Sequence, residues 1–198
     1  MNKVIIVYGT RPDAVKMAPV VLEFLKDKSL ETVVCTTAQH RQTIDMVNGI
    51  FGITPDYDLN VMKQSQSLEY VTSAIMVKFG EVLDKEKPDM VLVHGDTATC
   101  LICALASFYK KIPVGHVEAG LRTHDIYSPF PEEMNRKLVA TLATLHFSPT
   151  ESNRQNLLNE NVPDENIFIT GNTGIDALDT TVDTEYTFDC DALNDIDY

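Results

Sequence analysis

Three carboxylates and a small set of basic side chains stand out in this sequence by type and spacing. Val-His-Gly-Asp-Thr (93–97) and Val-Gly-His-Val-Glu-Ala-Gly-Leu-Arg-Thr (114–123) each place a histidine two residues before an acid: His94 with Asp96, and His116 with Glu118. On a strand, residues i and i+2 share a face. Such pairs admit three readings. They are metal ligands, or carboxylates for acid/base chemistry with histidines orienting them, or strand-end histidines bonded to backbone. Further on, Pro131 can open a helix on which Glu132, Asn135 and Arg136 fall at i, i+3 and i+4 and share a face. Arg11 sits in Gly-Thr-Arg-Pro (9–12), where a strand meets a helix. Glycine permits close approach of backbone, proline starts helices and a helix N-terminus attracts anions. The Arg11 guanidinium is therefore a candidate for phosphate, with a plain strand-to-helix turn as the alternative. Gln39-His40-Arg41-Gln42 brings amide and basic groups to the same edge, and Gly171-Asn172-Thr173 reads as a turn after the last strand.

Short apolar runs bounded by Gly or Pro suit buried strands, and longer stretches with helical spacing separate them. The spacing predicts strands over 3–8, 31–36, 57–59, 89–94, 113–117, 146–148 and 166–170. Helices are predicted over 12–27, with a kink or restart at Pro19, then near 41–51, over 68–87, 98–109, 132–143 and 151–160. One or two further turns follow over 175–181. Repeated strand–helix units imply an α/β fold: a doubly wound, mostly parallel, Rossmann-like sheet with helices on both faces. In such a sheet, ligands bind beyond the carboxyl ends of the strands. Asp96 and Glu118 follow successive strands and so arrive there together.

Composition narrows the function classes. The 198 residues are 44% hydrophobic, enough to bury a core. No apolar run approaches the roughly 20 residues that cross a bilayer, and the N-terminal apolar stretch is too short for a signal peptide. Cys35, Cys100, Cys103 and Cys190 show no disulfide or zinc spacing and read as buried thiols, which suits a cytoplasmic location. The net charge of −13 is uneven: residues 155–198 hold 11 acids and no Lys or Arg. No basic face is left for nucleic acid. Residues 184–198 carry five acids without clear periodicity.

Seven ordered blocks resemble the non-hydrolysing UDP-N-acetylglucosamine 2-epimerases: Gly-Thr-Arg-Pro-Asp-Ala-Val-Lys-Met-Ala-Pro (9–19), Ala-Gln-His-Arg-Gln (38–42), Val-His-Gly-Asp-Thr (93–97), Val-Gly-His-Val-Glu-Ala-Gly-Leu-Arg-Thr (114–123), Pro-Glu-Glu-Met-Asn-Arg (131–136), His-Phe-Ser-Pro-Thr (146–150) and Thr-Gly-Asn-Thr (170–173). Asp13 stands where Glu is more usual. The resemblance implies the first of two doubly wound domains in a GT-B-like arrangement. Residues 1–182 form that domain, and 183–198 form an acidic linker toward a C-terminal domain that supplies a catalytic histidine and much of the UDP pocket. It implies interconversion of UDP-N-acetylglucosamine and UDP-N-acetylmannosamine by elimination of UDP to 2-acetamidoglucal and re-addition on the other face, supplying N-acetylmannosamine for cell-surface polysaccharide.

By the same resemblance, Asp96, Glu118 and Glu132 are the catalytic carboxylates. Arg11 and Lys16 face UDP oxygens, His94 lines the substrate site, and Arg136 holds a carboxylate or phosphate. No cofactor is expected, because UDP leaving and returning provides the route without a nicotinamide, and no residue is assigned to a metal. Gln39, His40, Gln42 and Gln66 match an allosteric UDP-N-acetylglucosamine site, where Ser65 replaces an Arg found in related sequences. The full-length enzyme is expected to be a homodimer, with no membrane or nucleic-acid partner, and residues 1–198 alone to be inactive. A hydrolysing epimerase, a non-catalytic UDP-sugar-binding module and a metal-dependent phosphoesterase are the rival readings.

Overall fold

The computed structural model describes residues 1–38, 41–61 and 67–182, with the backbone alone at Arg41. Gln39, His40, Ser65 and Gln66 and the acidic segment 183–198 lie outside the described residues.

Among the described residues, seven strands alternate with seven α-helices: β1 (Asn2–Tyr8), α1 (Arg11–Lys26), β2 (Leu30–Thr36), α2 (Arg41–Phe51), β3 (Tyr57–Asp58), α3 (Leu68–Glu86), β4 (Met90–His94), α4 (Ala98–Tyr109), β5 (Val114–Val117), α5 (Glu132–Leu142), β6 (Leu145–Ser148), α6 (Glu151–Asn159), β7 (Ile167–Ile169) and α7 (Thr173–Thr181). The expected boundaries agree to within a residue or two at most ends. Every pairing is parallel, in the order β3-β2-β1-β4-β5-β6-β7. Chain direction across the sheet reverses at β1, so a crevice opens between the ends of β1 and β4, where such folds bind ligands.

β1 shows why the sheet is covered on both sides. Ile5 and Val7 pack with the α3 and α4 residues Ile75, Phe79, Cys103 and Ala104. Val4, Ile6 and Tyr8 pack with Met17, Ala18 and Val21 of α1 and Ile44 and Val47 of α2. Alternation therefore sends apolar side chains to two cores, and the strand reads as one continuous apolar run. Ala119, Ala140, Leu157 and Ile167 form a smaller cluster under α6.

Two expectations change. α1 runs through Pro19 as one helix, without a restart. Proline removes one backbone bond, but Met17, Ala18 and Val21 on either side of it are buried against the sheet, and that burial holds the helix together. The final helical turns grow into the nine-residue α7, which begins inside the Gly-Asn-Thr-Gly run. The Asn172 side chain accepts the Gly174 N–H at 2.9 Å, and α7 packs along α1. The segment read as a turn is thus a capped helix start.

Gly9 sets how closely β1 approaches its neighbours. A Cβ there would lie 2.0 Å from Thr99 Oγ1 and 2.2 Å from Thr37 Oγ1, and those hydroxyls bond each other at 2.8 Å. Gly9→Ala should therefore cost about 1–3 kcal/mol, the usual penalty of overpacking. Urea denaturation of the two chains measures it; an unchanged midpoint would show that the crevice floor has slack.

Candidate active site

The site is built at the carboxyl ends of β1, β4 and β5. α1 begins with a reciprocal cap: Thr10 Oγ1 accepts the Asp13 N–H at 3.4 Å, and Asp13 Oδ2 accepts the Thr10 N–H at 3.2 Å. Pro12 has no N–H. The helix start therefore offers an anion chiefly Arg11, which is exposed in the first turn.

Asp13 is only 3% exposed and its neighbour His94 only 4%. Asp13 Oδ1 lies 3.4 Å from His94 Nδ1, and Thr97 Oγ1 donates to Asp13 Oδ2 at 3.2 Å. His94 Nε2 lies 3.7 Å from Glu118 Oε2, an ion-pair distance too long for a hydrogen bond. Glu118 in turn pairs with Lys16 of α1. The four groups alternate in sign when His94 is protonated. Burial opposes that proton, but Asp13 and Glu118 outweigh it and raise the His94 pKa to about 8. For Glu118, burial favours the neutral acid, yet His94 and Lys16 prevail and hold it ionised, at about 2.

Asp96 has different company. It lies in the turn after β4, where Arg136 of α5 grips it through Nη2 at 2.6 Å and Nε at 2.9 Å. Asn135 of the same face donates to the Asp96 backbone carbonyl at 2.7 Å. Burial raises the Asp96 pKa despite Arg136, and the charges of Asp13 and Glu132 push the same way. Glu132, partly exposed at the start of α5, thus adds its field to Asp96. The two acids expected to act together sit in environments that move them in opposite directions.

The i, i+2 pairing fails in one respect. β4 ends at His94 and β5 at Val117, so neither acid is on a strand. Gly95 (φ +64°) and Glu118 (φ +62°) take left-handed backbone, which breaks strand alternation. A left-handed glutamate is uncommon, and such strain concentrates at functional positions. His94 consequently meets Asp13 and Glu118, while Asp96 meets Arg136. His116 instead faces the Gly95 carbonyl at 2.7 Å through Nε2. For His116, the backbone-bonded reading holds. Among the described residues, no three His, Cys, Asp or Glu side chains gather as a metal-binding set.

Two important residues were not singled out from sequence. Asp13 carried a capping signal, Thr-x-x-Asp, but nothing local points to His94, 81 residues away. Glu133 is fully buried: it accepts the Thr123 N–H at 3.1 Å and the His124 N–H at 3.0 Å, and pairs with Arg136 Nη1 at 3.1 Å. It ties the 121–131 loop to α5, a role indistinguishable in sequence from an acid in a first helical turn. Of the expected allosteric residues, Gln42 is exposed on α2, and the other three lie outside the described residues.

A family profile described as UDP-N-acetylglucosamine 2-epimerase matches residues 23–194, most of the chain. The chain belongs to the UDP-N-acetylglucosamine 2-epimerase family. A protein of that name from Escherichia coli K12 is 60% identical over 176 residues, 89% of this chain and 47% of that protein. The Neisseria meningitidis epimerase, solved bound to UDP-GlcNAc, superposes with a TM-score of 0.87 at 55% identity, covering 89% of this chain and 47% of that one. The Methanocaldococcus jannaschii epimerase, solved with UDP-GlcNAc and UDP, gives 0.84 at 37% identity, covering 91% and 49%. The chain spans about half the length of the curated relatives it matches. Its sheet is the GT-B-like Rossmann fold of those epimerases.

The buried histidines make stability depend on pH. Burial pushes His116 down to about 3 and His146 down to about 4. An unfolded histidine titrates near 6.5, so the unfolded chain takes protons first and both rings weaken the fold as pH falls below that value. His94 works the other way: its contribution is fully present below pH 6.5 and is lost as pH rises through about 8. Glu118 contributes above its unfolded value of 4.5 and loses this only as pH falls toward about 2. Stability should therefore peak near pH 6.5. It should drop by about 2 kcal/mol per neutral ring between pH 6.5 and 5. Urea denaturation at pH 8, 6.5 and 5 checks this; greater stability at pH 5 than at 6.5 contradicts it.

Proposed function

We propose that this chain forms one wall of a site that interconverts UDP-N-acetylglucosamine and UDP-N-acetylmannosamine, by elimination of UDP to 2-acetamidoglucal and re-addition. The observation that carries the reading is the pair of unlike carboxylates, Asp96 and Glu118, at the crevice of an epimerase-family fold. Inverting C2 requires a proton to leave one face and return on the other. C2 has no adjacent carbonyl, so that proton becomes removable only as the anomeric C–O bond breaks and C1 gains oxocarbenium character. Acids with separated proton affinities suit the two proton transfers.

The basic residues support the leaving group. Lys16 pairs with Glu118 and offsets its charge. In this reading, an arriving diphosphate draws Lys16 to its own oxygens. The exchange stabilises departing UDP and frees Glu118 from one of the two cations that weaken it as a base. Arg11 adds a second phosphate contact at the mouth of the crevice, and Arg136 holds Asp96 in place. Glu132 completes the set of acids around the sugar. Because UDP returns to the same sugar, the reading requires no redox cofactor.

The relatives contain about as much chain again, and an open single wall neither holds the sugar on all sides nor excludes water. Residues 1–198 alone are therefore proposed to be inactive. In the full-length protein, Asp96→Asn or Glu118→Gln should each lower turnover by about 10²–10⁴. NMR of the reaction in deuterium oxide should show deuterium entering C2 of UDP-N-acetylmannosamine. Free N-acetylmannosamine as the product would favour the hydrolysing reading, and wild-type turnover in both variants would remove these acids from the mechanism.

A further inference from the structure

The buried carboxylate of Asp13 is more than a helix cap. Thr10 already caps α1 through its own hydroxyl, and a cap needs no burial. Yet Asp13 is buried as deeply as the core beside it. A charge removed from water is costly unless it is paired. Its Oδ2 is taken by the Thr10 N–H and the Thr97 hydroxyl, and its Oδ1 turns to His94 Nδ1. The far nitrogen of that ring, Nε2, makes no hydrogen bond and faces Glu118 at 3.7 Å. One turn along the same helix, Lys16 closes on the same Glu118 oxygen, Oε2. Asp13 and Lys16, three residues apart on α1, therefore bracket His94 and Glu118.

We propose that Asp13 is a positioning residue of the active site, which acts through the His94 ring to present Nε2–H to Glu118. The proposal rests on the functional reading above for the step that Glu118 performs. Asp13 fixes the ring's orientation and supplies the counter-charge that keeps it an imidazolium. Glu118, in its left-handed turn, is thereby held by one fixed cation and one exchangeable cation. When Lys16 moves to a diphosphate, His94 remains and keeps Glu118 aimed. A neutral ring would leave Glu118 with no cation at that moment.

The groups around His94 and its two partners, Asp13 and Glu118, are consistent with this. From α1 come Asp13 and Lys16. From the turn after β4 comes Asp96, whose charge is engaged by Arg136. β5 presents His116, which burial keeps neutral, and the turn after it presents Glu118. Thr97 offers a hydroxyl at the start of α4, and the Cys100 thiol is buried and protonated. The net surroundings of the ring are anionic, and Asp13 is the contributor that has no other cation.

Histidine NMR titration of the 198-residue chain tests the ionisation without needing activity. With through-bond assignment, His94 should lose its proton near pH 8. A midpoint at or below 6.5 overturns the proposal before any substitution is made. In Asp13→Asn the midpoint should fall by about one to three pH units, the range for losing a close opposite charge, whereas Asp13→Glu should keep it high. An unmoved midpoint in Asp13→Asn also overturns it. In the full-length protein, Asp13→Asn should lower kcat by about 10–100-fold, the range for partners that orient a reacting group from behind. KM should change little, and the alkaline limb of the kcat profile should move to lower pH. A uniform loss with unmoved limbs would reduce Asp13 to a helix cap. Absence of epimerase activity in the wild-type protein would count against the proposed function, and the histidine titration would still decide the Asp13–His94 pairing.

Discussion

A carboxylate folded out of reach of water must find its counter-charge inside the protein, and Asp13 meets this constraint by joining two separate pieces of chain, the start of α1 and the stretch 94–97. Its partners come from the start of α1, from the end of β4 and from the turn that begins α4. Through His94 the arrangement reaches Glu118 beyond β5, and through Lys16 it returns to α1. Buried ionic groups contribute little net stability when their desolvation is included, but breaking one partner is strongly destabilising. Such a cluster is therefore better understood as fixing a geometry than as holding the fold together. The two apolar cores on either face of β1 do the latter.

The second half of the site depends on α5. Glu133, fully buried, collects two backbone donors from the loop ahead of it and one arm of Arg136. Arg136 spans Glu133 and Asp96, so a single planar guanidinium links the loop, the helix and the turn after β4. Its fork of donors makes that possible, and the point charge of lysine would not serve both acids. Asp96 and Glu118 thus differ in more than their neighbours. Asp96 is gripped by a permanent arginine on a core-packed helix, while Glu118 is held by a lysine with an exposed flank and by a histidine.

The sequence makes much of this legible. Strands β1, β4 and β5 are apolar runs that stop at polar residues, and the strand–helix alternation places Asp96 and Glu118 at one sheet edge. Arg136 and Asn135 share a helical face, as the spacing requires, and both reach Asp96. The rest was hidden for physical reasons. Partnership between Asp13 and His94 is a long-range contact that no local pattern encodes. Strand periodicity assigned His94 to Asp96, but left-handed backbone at Gly95 and Glu118 breaks the alternation just past the strand ends and turns the two acids to different partners. Pro19 signals a kink or restart in isolation, and with packing on both sides of it the helix continues without a restart. Glu133 looks like any acid at a helix start, because burial is decided by a loop whose path the sequence does not announce.

The sheet order also has a consequence for the chain as it is made. β1 is central, with Ile5, Ile6 and Val7 sealed from water on both faces. One of its edges is closed by β2 immediately downstream, but the other waits for β4, as in the pairing of Val4 with Met90. At a ribosomal pace of about 5–20 residues per second, that interval lasts roughly 4–17 seconds. During it, a strand built for the middle of a sheet stands at its margin, with unpaired N–H and C=O groups beside apolar side chains. Such an edge is a template for joining other chains. The crevice between β1 and β4 is therefore also the seam at which a growing chain is most open to misassembly.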